Sequence, residues 1–580
     1  MNKFLKFNEL FDKAEEYFEK EAFTIALDFI DSAFLIDIDL PTKRLSAAYM
    51  LRVDIRISME QYKESISDLN EVIKIDPENP RGFAQRGYVN IQINEYENAI
   101  IDFNNAIKLK SNEEIYFYDR GLAKFLLKRY ADAIRDFDEA IKLNEKYSKC
   151  YLYRGKSKYF IDSPIEALKD FNQAIIFDKE YDDAFYALSS IKEDLEIYDD
   201  ALDDINNAIK INSGDSEYFI QRGRLKYHFE KYEDAIDDFN QAIKLSPDDF
   251  YTHYLIGTTY SKLKKYELAL EFLNQSIDKD HKIHGAFFER GFIRYKLEEY
   301  EKAIKDFNSA ISLGDNDTTT FLYLGLSNNQ LGNFQMAIKN FDTALEKDET
   351  NYDALLGRGM AKVMNIKVSK DNEQTSEQNF QTFQEAKEDF KRAHKLSQSD
   401  SDSNIELDCL LWIAISNCEL EIFDEAIEVL NELLVIDAKY QPAYNLRGIA
   451  KSELKMFKEA IIDFDKAYDL CSDDIENIYY RGLAKYDSSL LEESLVDLNK
   501  VIELKPKDVR FLNNRGLLLC DLKQFDQAII DYESVIKFDP DNNIALIAIN
   551  EIKEFVENQS DKKDFNIKAI RKLLENKYKY

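Results

Sequence analysis

Proline and glycine are scarce, at 8 and 17 in 580 residues. An all-β chain turns often and tightly and needs more of both, and so does a long disordered linker. The composition therefore favours helix. Cysteine is scarcer still: Cys150, Cys409, Cys418, Cys471 and Cys520. The count is odd and no two stand in C-x-x-C spacing, so reduced core thiols are expected rather than a disulfide framework or a zinc site. No run of 18 apolar residues occurs, so no membrane-spanning helix is expected. The opening MNKFLKFNELFDKAEEYFEK has two early lysines but no continuous apolar stretch. It reads as an amphipathic helix, not a secretory leader. Positive charge is the other deficit: 77 Lys+Arg against 110 Asp+Glu leave a net charge of −33. Such a surface repels phosphate backbones and anionic lipid, which argues against nucleic acid or membrane as a partner. A reducing, cytoplasmic setting is the expectation. The aromatic content, 13%, is too high for a disordered acidic chain, so this one folds.

What the chain does have is a period. Arg-Gly recurs at Arg86-Gly87, Arg120-Gly121 and Arg154-Gly155, a spacing of 34. The same phase runs through Val53, Gly87, Gly121, Gly155, Ser189, Gly223, Gly257, Gly291, Gly325 and Gly359. A second run in phase is Ala414, Gly448, Gly482, Gly516 and Asn550, and a divergent repeat centred on Ala14 precedes the first. Within a repeat, Gly223 is followed by Tyr232, Ala235, Phe239 and Ala242, then Pro247. The internal spacings of 3, 4 and 7 mark one face of a helix, broken by a short turn before the aromatic. Each repeat is therefore read as two helices. The small residues let those helices approach, and the Phe fills the space beside them. Pro77, Pro247, Pro506 and Pro540 end second helices. A single pair of this size cannot bury its apolar face, so neighbours must stack.

With this pattern, seen as Gly223, Ala235, Phe239 and Ala242, the sequence resembles a tetratricopeptide repeat (TPR) array over about residues 5–558. Many repeats also carry an aromatic four residues before the small one: Phe83, Phe117, Tyr151, Phe185, Phe219, Phe287 and Phe321. The resemblance implies an all-α, right-handed α-solenoid superhelix of about sixteen helix-turn-helix repeats. The expected organisation is an N-terminal array of 11 repeats over 1–396 and a C-terminal array of five, the last partial, over 405–558. A polar insertion at about 365–382 falls between the two helices of one repeat and is expected to project as a mobile loop. An acidic, Ser-rich loop at 397–404, with Ser399 and Ser401 open to phosphorylation, separates the arrays. Both read first as tolerated surface insertions. Residues 559–580 read as a basic amphipathic helix, with Ile570, Leu573 and Leu574 on one face, that docks on the last repeat and caps it.

One pattern varies from repeat to repeat. The residue before the small one is Arg in ten repeats, and each time an Asp stands at a fixed place in the second helix. The pairs are Arg52/Asp68, Arg86/Asp102, Arg120/Asp136, Arg154/Asp170, Arg222/Asp238, Arg290/Asp306, Arg358/Asp389, Arg447/Asp463, Arg481/Asp497 and Arg515/Asp531. Where Arg is lost the Asp goes too, as in Lys13/Phe29, Ile256/Phe272, Leu324/Asn340 and Ile413/Val429; Leu188/Asp204 is the exception. A structural, half-buried ion pair between the two helices is expected, fixing their register.

No catalytic constellation stands out. There is no GxxxxGK[ST], no HExxH and no GxSxG on a strand. His281 and His284 have i, i+3 spacing but no third ligand is indicated, so no metal and no cofactor are expected. Trp412 reads as core. In TPR arrays the first helices line the inner wall, and residues three before and one after the small residue meet bound peptide. Carried over, this implies an aromatic-lined peptide groove at Tyr88, Tyr118, Tyr186, Arg224, Tyr254, Phe288, Asn445, Tyr479 and Asn513, with Lys156 and Phe292 in equivalent places. Chaperone-binding members grip a C-terminal carboxylate with Lys at the first place and Asn at the second; no repeat here has either, so a chaperone tail is not an expected partner. The expected function is thus a non-catalytic scaffold or adaptor holding extended protein or peptide segments. The alternatives are an RNA-binding helical array or the substrate-holding subunit of an enzyme complex.

Overall fold

The computed structural model describes residues 2–368, 376–398, 403–557, 568, 570–572 and 574. Among them are thirty-one helices in antiparallel succession and no strand. They form two compact bodies, Met1–His281 and Lys282–Tyr580, dividing between two repeats and not at 397–404. The N-terminal body holds eight helix pairs, from Asn2–Glu19 with Phe23–Phe34 to Phe250–Lys262 with Tyr266–Lys279. The C-terminal body holds seven, from His284–Lys296 with Tyr300–Ser312 to Val509–Asp521 with Phe525–Phe538, followed by Asn543–Glu557. Each body is an α-solenoid of stacked pairs, and each first helix packs on its own second helix and on the one before.

Inside a pair, glycine and phenylalanine share one site. A Cβ on Gly223 would come 2.4 Å from Phe239, and one on Gly87 2.9 Å from Phe103. Those rings are fully buried. Wherever the second helix supplies an aromatic here (Phe103, Phe137, Phe171, Phe239, Phe307, Phe341, Phe390, Phe464, Tyr532), the first helix has Gly. Where it supplies an aliphatic, the small residue is free to be Ala14, Val53, Ser189 or Ala414, beside Ile30, Leu69, Ile205 and Leu430. Flat packing of ring on backbone, not a turn, is what these glycines are for.

In repeat after repeat the turn is closed by a residue in the left-handed region: Asn94, Lys128, Asp162, Glu196, Glu230, Lys264 and Glu298 recur at the same place, with φ between 56° and 63°. Only Gly332 supplies glycine there. The backbone N–H three residues past the helix end reaches back, as from Glu95 to the Asn90 carbonyl at 2.8 Å and from Lys231 to the Lys226 carbonyl at 2.9 Å. These bonds cap the first helix and hold the strained residue in place.

The inserted residues differ from the expected loop. One helix continues through Tyr352–Val368 and the next begins at Ser376, so most of the insertion extends the two helices of its repeat. Its Glu, Gln, Lys and Asn side chains are helix-compatible and need no burial. Residues 369–375 lie outside the described residues, as do Ser399 and Ser401. The helix Ser376–Ser397 packs against Ser403–Glu419 across the Ser-rich segment. At the C-terminus, Ile570 and Leu574 are buried in the cluster that includes Leu518, Ala545, Ile549 and Ile552. Arg571 pairs with Asp487 and lies 5.0 Å from the Tyr486 ring. Leu573 is outside the described residues.

Candidate functional site: the first-helix face

The arginines form a ladder of contacts. In all ten pairs the guanidinium grips the aspartate with two hydrogen bonds, Nε at 2.9–3.0 Å and Nη2 at 2.5–2.7 Å. Half-burial, expected for the pairs, needs correcting on the acidic side. Asp68, Asp102, Asp136, Asp170, Asp238, Asp306, Asp389, Asp463, Asp497 and Asp531 are all buried, at 2–4% exposure. The close-packed first helix and its guanidinium cover each carboxylate. Only the arginines stay partly open, and Arg481 is itself buried. These ten aspartates therefore belong to the interior of their helix pairs and offer nothing to a ligand.

A second cation four residues after the arginine often reaches the same carboxylate: Arg56, Lys124, Lys158, Lys226, Arg294, Lys362, Lys451 and Lys485, at 2.6–2.9 Å. Thus Asp136, Asp170, Asp306 and Asp463 each answer two cations. For Asp102 the partner at that place is neutral: Asn90 donates its Nδ2 at 3.0 Å. The second cation also explains Asp204, which survives opposite Leu188 because Lys192 holds it at 2.6 Å. With no arginine to answer it, burial pushes the Asp204 carboxyl up, and Lys192 draws it part of the way back.

The ladder also joins neighbouring repeats, which the pairing pattern did not reveal. Nη1 of Arg86 donates to Asn70 of the preceding repeat at 2.7 Å. Arg120, Arg154, Arg222, Arg358, Arg447, Arg481 and Arg515 do the same to Asn104, Asp138, Asn206, Asp342, Asn431, Asp465 and Asn499. The aromatic four before the small residue covers the guanidinium, as Phe117 does Arg120 at 5.4 Å and Phe219 does Arg222 at 5.6 Å. A charged cleft of about 620 Å³ opens over part of this ladder. The groups lining it are already paired with one another: Arg120 with Asp136, Arg154 with Asp138, and Lys142 with Glu139.

The opposite side of each body is built by the first helices. Consecutive first helices pack directly, Pro80–Gln92 on Glu114–Leu126 and that on Ser148–Phe160. No such packing links consecutive second helices among the described residues, so the first helices lie on the inside of the curve. The expected contact residues are all on first helices, at different depths. Tyr88 and Arg224 are exposed. Arg224 is held by Glu193 of the preceding repeat at 3.1 Å. Tyr186, Tyr254, Phe288 and Asn445 are half-buried. Tyr118, Tyr479 and Asn513 are buried between repeats. Tyr118 packs on Tyr147 and Tyr153 of the next repeat at 5.1 and 6.0 Å, and Tyr479 packs on Phe511 at 4.7 Å.

One stretch of this face is hollow. A cavity of about 490 Å³ is lined by Gln85, Tyr88, Tyr118, Asp119 and Tyr147 among others. Asp119 stands two residues before Gly121, where other repeats carry Tyr153, Leu255, Tyr323 or Tyr480. Burial pushes its carboxyl up to about 7, and Lys149 offsets this only in part. Further along, burial lowers the Lys156 ammonium, which Asp183 partly restores. Lys156 also lies 5.4 Å from the Tyr153 ring.

Family models match along most of this ladder. The tetratricopeptide repeat model matches residues 46–79, 80–113, 441–474 and 509–542, and a TPR repeat model matches 223–264. The chain is a tetratricopeptide repeat protein. A third model, anaphase-promoting complex subunit 5, matches residues 128–218, 250–328 and 332–421. No curated protein matches. Among solved structures, the Cut9–Hcn1 hetero-tetramer of the APC/C is 12% identical, covering 83% of this chain and 96% of that one, at a TM-score of 0.38. YrrB, described as a TPR protein with an unusual peptide-binding site, is 24% identical over 32% of this chain and 95% of its own, at 0.28. A TPR protein from Parabacteroides merdae is 19% identical over 44% and 99%, at 0.38.

The remaining candidates fall into the TPR frame. Trp412 is half-buried and stacks on Phe390 at 5.8 Å. Cys150, Cys409 and Cys520 are buried, and burial pushes the thiols of Cys409, Cys418 and Cys520 up to about 12. His281 is held through Nδ1 at the Ile277 carbonyl, 2.6 Å away. Among the described residues no three His, Cys, Asp or Glu side chains gather as a metal site, and no helix is long and apolar enough to cross a membrane. Asp119 and Gln85 were missed by position counting, which looks three before and one after the small residue. The column two before the small residue also carries Asp12 and Glu289, so a charge there did not single out Asp119.

Proposed function

We propose that this TPR protein is a non-catalytic scaffold that holds extended protein segments along its first-helix face. The observation carrying the reading is the hollow at Tyr88, Tyr118 and Asp119. There Gln85, Tyr88 and Asp119 line a cavity beside Tyr118 and Tyr147, whose rings pack between repeats. The three-segment match to anaphase-promoting complex subunit 5 supports a place inside a multi-subunit assembly. Net charge of −33 favours a protein partner over RNA.

The test is cross-linking of the tagged full chain in nuclease-treated lysate, with cross-linked sites read by mass spectrometry. Partner links should concentrate on first-helix residues around Tyr88, Leu122 and Lys156. Tyr88→Ala should reduce them at unchanged helical content. Links confined to second helices, or lost on nuclease treatment, would remove the reading.

A further inference from the structure

The hollow on the first-helix face is lined by two acceptor residues, Gln85 and Asp119. Gln85 donates its Nε2 to Asp54, which fixes the amide so that Oε1 faces the other way. That Oε1 is buried and accepts no hydrogen bond. Asp119, one repeat further on, is half-buried in the same lining. The cations nearby are not placed to answer it. Arg81 is bound to Asp54 at 2.7 Å, and Lys149 is solvent-exposed and touches Asp119 only through its field. The aromatic wall is phenolic, with Tyr88, Tyr116, Tyr118 and Tyr147 on its sides. Burial raises the phenols of Tyr88, Tyr118 and Tyr147, and the charge of Asp119 raises each further, so the field of the carboxylate reaches all three. Glu114 adds a second negative field at Tyr147 and Cys150.

A buried acceptor without a donor is costly, and native proteins leave few of them. A half-buried carboxylate in a cavity ringed by electron-rich faces describes a receptor for a flat or tetrahedral cation. We infer that this hollow receives one basic side chain, a guanidinium or an ammonium, of the extended segment bound along the first helices. The cation lies between the rings and donates to Asp119. The inference rests on the scaffold reading and names the chemistry its partner must present.

Proton linkage makes the site recognisable. A carboxyl held near 7 when empty is about one-tenth ionised at pH 6 and nine-tenths at pH 8. A cation binds only the ionised form, so affinity rises about tenfold across that interval. Diffuse attraction to an acidic surface has no such step there.

The experiment titrates the full chain with the blocked, fluorescein-labelled heptapeptide Gly-Ser-Ala-Arg-Ala-Ser-Gly at about 0.15 M salt, where diffuse attraction is screened. Lysine and citrulline versions run beside it, citrulline keeping the shape of arginine without its charge. The arginine and lysine peptides should bind at least tenfold more tightly than citrulline at pH 8 and lose about that factor at pH 6. Asp119→Asn should abolish both the preference and the pH step, while Asp199→Asn, an exposed charge elsewhere, leaves them unchanged. Gln85→Leu, a second variant that alters the lining but spares the carboxylate, should keep the step. Equal affinity and pH dependence in wild type and Asp119→Asn would overturn the inference, as would an equal loss in Asp199→Asn. Cross-links that stay on the first-helix face, with no preference for a basic residue, would overturn it and leave the scaffold reading standing.

Discussion

The shared site of glycine and phenylalanine allows one substitution to be predicted with opposite signs in two repeats. Replacing a helical Gly by Ala gains about 1 kcal/mol of helix propensity. At Gly223 the new Cβ would sit 2.4 Å from Phe239 Cε1, 2.7 Å from Cδ1 and 2.9 Å from Cζ. The ring is fully buried and has nowhere to retreat. Overpacking of this kind costs about 1–3 kcal/mol, so Gly223→Ala should destabilise its repeat by about 1 kcal/mol net. At Gly482 the second helix offers Leu498 instead of a ring, and the nearest atoms are Asp497 Cβ at 3.2 Å and Leu498 at 3.5 Å. The neighbour has only tenths of an ångström to give, so Gly482→Ala should stabilise by about 0.5 kcal/mol. A stacked array does not melt in one step, so a global midpoint would blur the two. Native-state hydrogen exchange resolves them. Amides of Ser216–His228 should exchange faster in Gly223→Ala, and those of Ile475–Asp487 slower in Gly482→Ala. Shifts of the same sign in both would show that backbone propensity, not ring contact, selects these glycines.

Four further outcomes can be checked. Asp238→Asn strands Arg222 and Lys226 on a buried amide and should cost about 3 kcal/mol locally in the same exchange measurement, well beyond a surface pair. Glu230→Gly, at φ 57°, should stabilise by about 0.5–1 kcal/mol in thermal melts, the relief of strain exceeding the added chain entropy. Asp119 binds its proton more tightly folded than unfolded, so its contribution to stability falls as pH rises from about 4 to about 7. Asp119→Asn should therefore match wild type near pH 4 and exceed it at pH 8 by on the order of 2 kcal/mol in urea titrations. Ending the chain after Glu557 removes Ile570 and Leu574 from their cluster and should lower the melting temperature or cause aggregation; an equally stable monomer would deny the segment a capping role.

Much of this fold could be read from spacing alone, because every repeat solves the same packing problem and the solution is repeated. Arg222 and Asp238 could be paired on paper for that reason. How deeply Asp238 lies could not be read, since burial of the carboxylate depends on the first helix closing over it. Asn206 escaped as well, since an Asn on a second helix looks like any solvated residue until the next repeat's arginine reaches it. The left-handed turn residue escaped notice because Glu, Lys or Asn stands where a glycine would have announced it. Depth was the larger gap at the candidate site. Tyr118, Tyr254 and Asn513 occupy equivalent places on their helices, yet one is half-buried and two are closed in by the next repeat. Gln85 and Asp119 lay off the expected columns. The insertion before Phe383 showed its polarity but not its conformation, because residues that suit solvent also suit an extended helix.

The arginine that clasps its own aspartate and the preceding repeat has a mechanical consequence. Its absences are not scattered. Leu188, Ile256, Leu324 and Ile413 stand where Arg would, each buried, and between them come Arg222, Arg290 and Arg358. Toward either end the arginines run without a gap, from Arg52 to Arg154 and from Arg447 to Arg515. Polar clasps resist sliding because each hydrogen bond has a direction, whereas apolar contacts such as Ile256 with Phe272 have none. The middle of the chain is thus a series of stiff and compliant joints, flanked by stiff runs from Arg52 to Arg154 and from Arg447 to Arg515. Under load or on warming, repeats should part first at the unclasped joints, so the spring constant of the array is written by which repeats forgo arginine.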